Sequence, residues 1–188
     1  MSVLTNDPAD LAMPLRGGRI VAYPTEAVFG LGCDPHSERA VADLAALKQR
    51  SPEQGFLLIG SDFAQIAPYI DMGKTPADAL DRAMATWPGP YTWIFPASPH
   101  APSWLRGTRA GVALRVTGHA WAARVCEAFG AAIVSTSANP HGLPPARTAR
   151  EAQAYFPTGL GAILDAPVGA QGRPSTIRDA LTGAIARA

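Results

Sequence analysis

The chain has 188 residues, of which 47% are hydrophobic and 16% charged, and its formal net charge is +1. This composition predicts a single globular domain over residues 1–188 and excludes a disordered or repetitive chain. Residues 1–99 hold 11 acidic and 7 basic residues, whereas residues 100–188 hold 4 acidic and 9 basic residues, which is compatible with a basic face for an anionic ligand such as a nucleotide or RNA.

Strand-like and helix-like patterns alternate along the chain and predict an α/β sheet with helices packed on it. The predicted helices begin at residues 7, 37, 62, 75, 119 and 148, and end near residues 16, 50, 69, 87, 129 and 155. The predicted strands cover residues 19–23, 56–59, 91–95, 112–116, 131–134, 161–164 and 174–178. Residues 96–109, rich in Pro and Arg, are expected to form a loop that acts as a lid or rim.

The strand at residues 19–23 leads into the most informative segment of the chain. Pro24-Thr25-Glu26 follows it, then a predicted Gly30-Leu31-Gly32 turn, then a helix with Lys48 and Arg50 in its last turn. A glycine turn lets backbone N–H groups approach an anion, and the two cations are placed for the same anion. Taken alone, the two cations are better explained as complements to the helix C-terminal dipole, and the surrounding motifs reverse that preference. A phosphate-binding loop of the Gly-x-x-x-x-Gly-Lys-Ser/Thr type is excluded, because the sequence has no such motif.

Cysteines, histidines and apolar runs indicate little further chemistry. Cys33 and Cys126 form no Cys-x-x-Cys and are expected to be reduced thiols of a cytoplasmic protein. The histidines show no paired ligand spacing, so no protein-held metal is predicted. Since no apolar run approaches the ~20 residues of a membrane span and Asp7 and Asp10 precede any basic residue, neither membrane association nor a signal peptide is expected.

Five segments in one order carry a family resemblance over roughly residues 19–187. They are residues 23–32 together with Lys48-Gln49-Arg50, then Trp87-Pro88-Gly89-Pro90-Tyr91-Thr92, Val112-Ala113-Leu114-Arg115-Val116, Ser135-Thr136-Ser137-Ala138-Asn139 and Pro174-Ser175-Thr176-Ile177-Arg178-Asp179. Any one of them occurs by chance. In this order they resemble the YrdC/TsaC family of threonylcarbamoyl-adenylate synthases, in its short, single-domain form.

The resemblance implies a fold, a reaction and partners. The expected fold is a twisted mixed sheet with helices packed around it and an open anion-binding cleft. The implied reaction is ATP-dependent synthesis of L-threonylcarbamoyl-AMP from L-threonine, bicarbonate and ATP, with release of pyrophosphate, for modification of the tRNA adenosine next to the anticodon. Mg²⁺ is expected to accompany ATP, held chiefly by phosphates and water. A separate transferase complex is implied as partner, and direct binding of tRNA or double-stranded RNA is a further possibility.

The same resemblance implies roles for individual residues. Lys48 and Arg50 match the family's Lys-x-Arg and would act as catalytic cations on the phosphates of ATP. The other implied ATP-binding residues are Asn139, Arg147 and Arg187, and the implied threonine-binding residues are Thr25, Arg115, Ser137 and Ser175. Arg115 lies in an apolar strand, where an unpaired charge is costly, so it either has an anionic partner or faces outward with Ala113.

Departures from the family's sequence pattern, and the role of Glu26, leave alternatives open. Ser51 and Gln54-Gly55-Phe56 stand where the family has proline and a Lys-Pro-Leu-like segment, so one expected cation is missing, and Ala27 replaces a common threonine. Glu26 is compatible with a magnesium ligand, a nucleotide-hydroxyl ligand or a loop cap.

Two other functions compete with the synthase. A non-catalytic RNA-binding module would use the basic second half of the chain. A related carbamoyl-adenylate chemistry, as in hydrogenase-maturation proteins that share this module, would require accessory regions for which 188 residues leave no room.

Overall fold

A computed structural model describes residues 2–171 and 175–187 of the chain. Ten strands lie within these residues: β1 (Val3–Thr5), β2 (Ile20–Pro24), β3 (Phe29–Gly32), β4 (Leu57–Gly60), β5 (Thr92–Pro96), β6 (Gly111–Val116), β7 (Ile133–Ser137), β8 (Leu160–Leu164), β9 (Ile177–Asp179) and β10 (Ile185–Arg187). Seven α-helices lie among them: α1 (Ala12–Arg16), α2 (Glu38–Leu47), α3 (Phe63–Ile66), α4 (Ala77–Met84), α5 (Ser103–Arg106), α6 (Ala120–Phe129) and α7 (Ala149–Tyr155).

The ten strands form a single twisted mixed sheet in the order β1-β8-β2-β3-β7-β4-β6-β5-β9-β10. Strand pairs β1/β8, β2/β8, β4/β6 and β5/β9 are parallel. Pairs β2/β3, β3/β7, β4/β7, β5/β6 and β9/β10 are antiparallel. This architecture confirms the predicted fold class.

The helices cover both faces of the sheet, because strand alternation sends apolar side chains to each side. On one face the larger core includes Phe29, Leu31, Leu114 and Val116. On the other face the smaller core contains Val21, Tyr23, Ile59 and Ile133 with helix α6 against them. Ala113 and Arg115 of β6, which alternate with Leu114 and Val116, share the second face with a cavity described below. None of the described helices is long and apolar enough to cross a membrane.

Local sequence signals explain how several helices begin and end. Ser37 caps α2 by accepting a hydrogen bond from the backbone N–H of Ala40, and Thr148 caps α7 in the same way through Glu151. Helix α6 ends at Phe129 and is capped by Gly130, whose φ of 87° is the left-handed conformation that glycine adopts readily. The predicted end of this helix, at residue 129, is therefore confirmed.

The predicted Gly30-Leu31-Gly32 turn is wrong. These residues belong to β3, which pairs antiparallel with β2, and the chain reverses instead at residues 25–28, where the Thr25 N–H donates to the Val28 carbonyl. A Cβ atom at Gly32 would lie 2.7 Å from the Val134 carbonyl oxygen and 2.8 Å from Tyr23 Cε1. Close packing within the strand therefore requires glycine at this position. In the sequence alone, such a glycine is typical of a turn.

Other boundaries also differ from prediction. Helix α2 ends at Leu47, so Lys48 is its C-cap and Arg50 lies beyond it, after Gln49 with a φ of 50°. The sequence did not predict strands β1 and β10, or the short helix α5 inside the Pro- and Arg-rich loop. The last predicted strand is β9, but Pro174, its predicted first residue, lies outside the described residues.

Candidate active site

A cavity of about 380 Å³ opens where the β2–β3 turn, the middle strands of the sheet and the C-terminal strands meet. Six of the residues predicted for ligand binding line it: Thr25, Arg50, Arg115, Ser137, Ser175 and Arg187. They come from parts of the chain more than 150 residues apart and converge because β3, β7, β4 and β6 are neighbours in the sheet. The other three predicted residues, Lys48, Asn139 and Arg147, do not line this cavity.

Arg115 is buried on the cavity side of β6, with 6% of its surface exposed. Its Nη1 atom lies 3.6 Å from Oε2 of Glu26, which supplies the anionic partner that a buried guanidinium needs. The other carboxylate oxygen of Glu26 accepts hydrogen bonds from the Thr117 hydroxyl (2.8 Å) and the Gly118 N–H (3.2 Å). Arg115 therefore faces the cavity, and the outward-facing alternative is wrong.

Lys48 lies beneath the cavity wall, with 7% of its surface exposed. Its ammonium donates to the carbonyl oxygen of Ser137 (2.7 Å) and to both the carbonyl oxygen and Oδ1 (2.9 Å) of Asn139. The Ser137 hydroxyl also donates to Asn139 Oδ1 (2.7 Å), so the strand end and the following turn are fixed together. Burial, and secondly the charge of Arg50, lower the pKa of Lys48 to about 8.

Arg50 projects into the cavity from the segment after α2. Its Nε and Nη2 atoms donate to the Gly55 carbonyl oxygen at 3.1 and 2.8 Å, and its guanidinium carbon lies 5.1 Å from the centre of the Phe56 ring. Burial lowers the pKa of Arg50, and the positive charges of Arg109 and Arg187 lower it further. One edge of a planar cation is thus anchored, which leaves its Nη1 group for a ligand.

The remaining predicted residues occupy different environments. Thr25 donates its hydroxyl to the Val28 carbonyl (2.7 Å), so towards a ligand it offers oxygen lone pairs. The Ser175 hydroxyl lies 3.4 Å from that of Thr92. Arg187 reaches the cavity from the edge strand β10. Arg147 is exposed outside the cavity, and its backbone N–H donates to Glu151 Oε2 (2.6 Å).

Among the cavity residues that the sequence analysis left unassigned, three bear on the chemistry of the site. Ser135 precedes Ser137 by two positions on β7 and so shares its face, a placement that strand alternation predicts. Arg109 lies at the end of the loop that was expected to be a lid or rim, and it lines the cavity. Glu26, whose role was open, acts as the ion-pair partner of Arg115.

The cavity gives little support for a metal held by the protein alone. Glu26 is the only carboxylate among its described lining residues. Over residues 2–171 and 175–187, no group of three or more His, Cys, Asp or Glu side chains is arranged to hold a metal ion. Most side-chain donors among the lining residues are guanidinium and hydroxyl groups, which suit anionic oxygen atoms.

Fold and site together define the class of protein: an α/β protein whose mixed sheet holds an arginine-lined, anion-accepting cleft. A family model described as "Sua5_yciO_yrdC: Telomere recombination" matches residues 14–188. The chain belongs to this Sua5/YciO/YrdC family, which confirms the family predicted from the five motifs.

Relatives and solved structures agree with this membership. The chain is 51% identical over 184 residues to "Threonylcarbamoyl-AMP synthase" of Alkalilimnicola ehrlichii, covering 94% of this chain and 93% of that one. It is 44% identical to the synthase of the same name from Coxiella burnetii, with both chains fully covered. These relatives confirm the predicted enzyme class, an adenylate-forming threonylcarbamoyl-AMP synthase.

Solved structures agree on the fold. P. abyssi Sua5 complexed with L-threonine superposes with a TM-score of 0.87 at 28% identity, over 95% of this chain and 54% of that one. The present chain thus spans about half the length of that Sua5. E. coli YciO superposes with a TM-score of 0.86 at 22% identity, covering 100% of this chain and 95% of its own, and supports the fold alone.

Proposed function

We propose that this chain joins L-threonine, bicarbonate and ATP into L-threonylcarbamoyl-AMP and releases pyrophosphate. The observation that carries the proposal is one cavity in which Arg115, Ser135 and Ser137 face the same space as Arg50 and Arg187. An amino acid and a triphosphate are both anionic through their oxygens, and both need guanidinium and hydroxyl donors. The name of the relatives and the threonine bound to P. abyssi Sua5 support this choice of substrates.

The chemistry asks the protein for placement and charge neutralisation more than for a strong base. A carbon–nitrogen bond forms between the ammonium group of threonine, once it has lost a proton, and bicarbonate, whose carbon–oxygen bond breaks with release of water, which gives a carbamate. A carbamate oxygen then bonds to the α-phosphorus of ATP while the bond to the β-phosphate oxygen breaks, so pyrophosphate leaves. Since an anion attacks a polyanion, fixed cations and in-line placement supply most of the acceleration.

We assign the residues by what they contact. Arg115, with Thr25, Ser137 and Ser175, would hold the threonine, and Arg50 and Arg187 would hold the phosphates. Lys48 and Asn139 would support the turn that carries Ser137. For Lys48 to touch a phosphate directly, at least one of its three hydrogen bonds would have to exchange, since all three of its protons meet protein oxygens. Arg147 remains a predicted contact of ATP.

Mg²⁺, when bound, would neutralise phosphate charge and draw electrons from the leaving pyrophosphate. We expect it to enter on the nucleotide, held by phosphate oxygens and water, because the described cavity offers it only the already-paired carboxylate of Glu26. Delivery of the product to a tRNA-modifying transferase complex, direct binding to tRNA and the cytoplasmic location stay predictions from the sequence.

The deciding experiment measures pyrophosphate release from ATP and bicarbonate with and without L-threonine, using serine and alanine as matched substrates. We expect release to require both threonine and bicarbonate and to be much slower with alanine, which lacks the hydroxyl. Threonine-independent release, or no release by folded protein with Mg²⁺ present, would contradict the proposal. Steeply salt-dependent RNA binding in the same preparation would then support the RNA-binding alternative.

A further inference from the structure

Three guanidinium groups that belong to no buried ion pair among the described residues, those of Arg50, Arg109 and Arg187, line the cavity. No ion pair formed by the described residues involves any of the three. Arg50 and Arg187 lie on segments already assigned to phosphate binding, whereas Arg109 belongs to the loop between α5 and β6 and matches no motif. Its position therefore needs an explanation of its own.

The loop that carries Arg109 packs against the same turn that anchors Arg50. The Thr108 N–H donates to the Glu53 carbonyl (3.3 Å), and the Phe56 N–H donates to the Leu105 carbonyl (2.7 Å). Gly55, whose carbonyl accepts both hydrogen bonds of Arg50, approaches so closely that a Cβ atom there would lie 2.6 Å from the Arg106 carbonyl oxygen. These contacts fix the segments that carry Arg50 and Arg109 relative to each other.

The three charges are costly together in the absence of a ligand. Arg109 and Arg187 both lower the pKa of Arg50, which means that their positive charges disfavour its charged form. Like charges that line the same cavity repel one another, and solvent screens this repulsion only partly. A ligand with several negative charges would convert this repulsion into attraction, and a single carboxylate would offset less of it.

The three arginines also differ in depth. Arg50 is half-buried, whereas Arg109 and Arg187 are exposed at the rim. The reacting phosphate must lie near Arg115 and Ser137, where the amino acid is assigned. The phosphates furthest from the reaction then extend toward the rim.

We propose that Arg109 is a third phosphate-binding residue, which with Arg50 and Arg187 holds the β- and γ-phosphates of ATP and the pyrophosphate that leaves. The identity of this ligand rests on the proposed function. Arg109 would thereby replace, from a distant loop, the cation missing from Gln54-Gly55-Phe56.

The test is calorimetric titration of the protein with inorganic pyrophosphate, which needs no turnover. We expect Arg109→Gln to weaken pyrophosphate binding at least tenfold and to leave L-threonine binding unchanged. Arg109→Lys should recover part of the loss, because it restores the charge without the planar fork. The matched control is Arg150→Gln, which removes the same charge from an exposed position on α7. Thermal unfolding at an unchanged temperature verifies the fold of each variant.

The outcomes separate the explanations. Unchanged pyrophosphate affinity in Arg109→Gln overturns the proposal, and so does an equal loss in Arg150→Gln, since a general charge effect would then explain both. Loss confined to Arg109→Gln supports it. If wild-type protein shows this Arg109-dependent binding yet releases no pyrophosphate with threonine, the proposed function fails while the phosphate assignment stands.

Discussion

Lys48 is a buried charge that stabilises a cavity strand without lining the cavity itself. Within the described part of the chain, its ammonium donates three hydrogen bonds to oxygen atoms of Ser137 and Asn139, so it fixes the end of β7. Of the two cations in the Lys-x-Arg motif, Arg50 lines the cavity, whereas Lys48 contacts the lining residue Ser137 from outside it. The spacing of a motif predicts that its side chains lie near a site. Whether each side chain lines the cavity depends on how deeply it is buried and on what it contacts.

The protonation of Lys48 is directly measurable, because the chain has only two lysines, Lys48 and Lys74. We expect the ¹³Cε signal of Lys48, assigned by its loss in Lys48→Arg, to titrate with a midpoint near the pKa of about 8. Below that pH the folded and unfolded states are both protonated. From about 8 up to the ordinary value of 10.5, the unfolded chain binds more protons, so the free energy of unfolding rises with pH through this window. A midpoint near 10.5 would contradict the burial of this charge.

The ion pair of Glu26 and Arg115 gives a second residue-level prediction. Glu26→Gln leaves a buried guanidinium without its carboxylate, so the free energy of unfolding should fall by ~3 kcal/mol. The control Glu53→Gln, at an exposed position in the turn after Arg50, should change it by less than ~0.5 kcal/mol. Urea denaturation measures both, and a double variant with Arg115→Met should be less destabilised than the sum of the single changes. Strict additivity would argue against the pair.

At the scale of elements, the β2–β3 hairpin separates what sequence can and cannot predict. The apolar run at residues 19–23 identified β2 because β-branched residues favour a buried strand. Strand β3 was missed because Gly30 and Gly32 are turn-forming residues, and their real role is to admit the Tyr23 ring. A packing requirement set by residues distant in sequence overrides local propensity here.

This reading of Gly32 predicts the effect of one methyl group. Gly32→Ala would press a Cβ atom against Val134 and Tyr23 and should lower the free energy of unfolding by ~2 kcal/mol. Gly17→Ala is the matched control, because its Cβ would meet its nearest atoms, two carbonyl oxygens, at 3.4 Å. Chemical denaturation of both variants compares them, and equal stabilities would refute close packing as the reason for Gly32.

For the whole molecule, the motifs predicted which residues meet at the cavity better than they predicted the strand order of the sheet. The order of segments and the family resemblance placed six predicted residues in one cavity. The strand order could not be deduced, because β8 inserts between β1 and β2, and β9 pairs with β5 across some 80 residues of sequence. Arg109 had no motif at all. Only the packing of its loop against the turn at residues 52–55 brings it to the cavity.

Strand β10 provides a prediction at this scale. Its three residues are exposed at the edge of the sheet, so ending the chain after residue 184 should leave the protein folded. Loss of Arg187 should weaken ATP binding about tenfold, the scale of one charge-assisted hydrogen bond. Calorimetric titration with ATP checks this, and Arg187→Gln in the full chain should reproduce the loss. Undiminished ATP affinity of the shortened chain would remove Arg187 from the site.

The two ends of the chain differ in their position relative to the cavity, because β1 and β10 form opposite edges of the sheet. Strand β1 lies at one edge, while β10 lies at the other and carries Arg187 into the cavity wall. An affinity tag or fluorescent fusion joined after β10 would stand beside the mouth of the cavity, and an acidic peptide there would compete with an anionic ligand for its arginines. The same addition before β1 would sit across the full width of the sheet, so purification and labelling schemes should use that end.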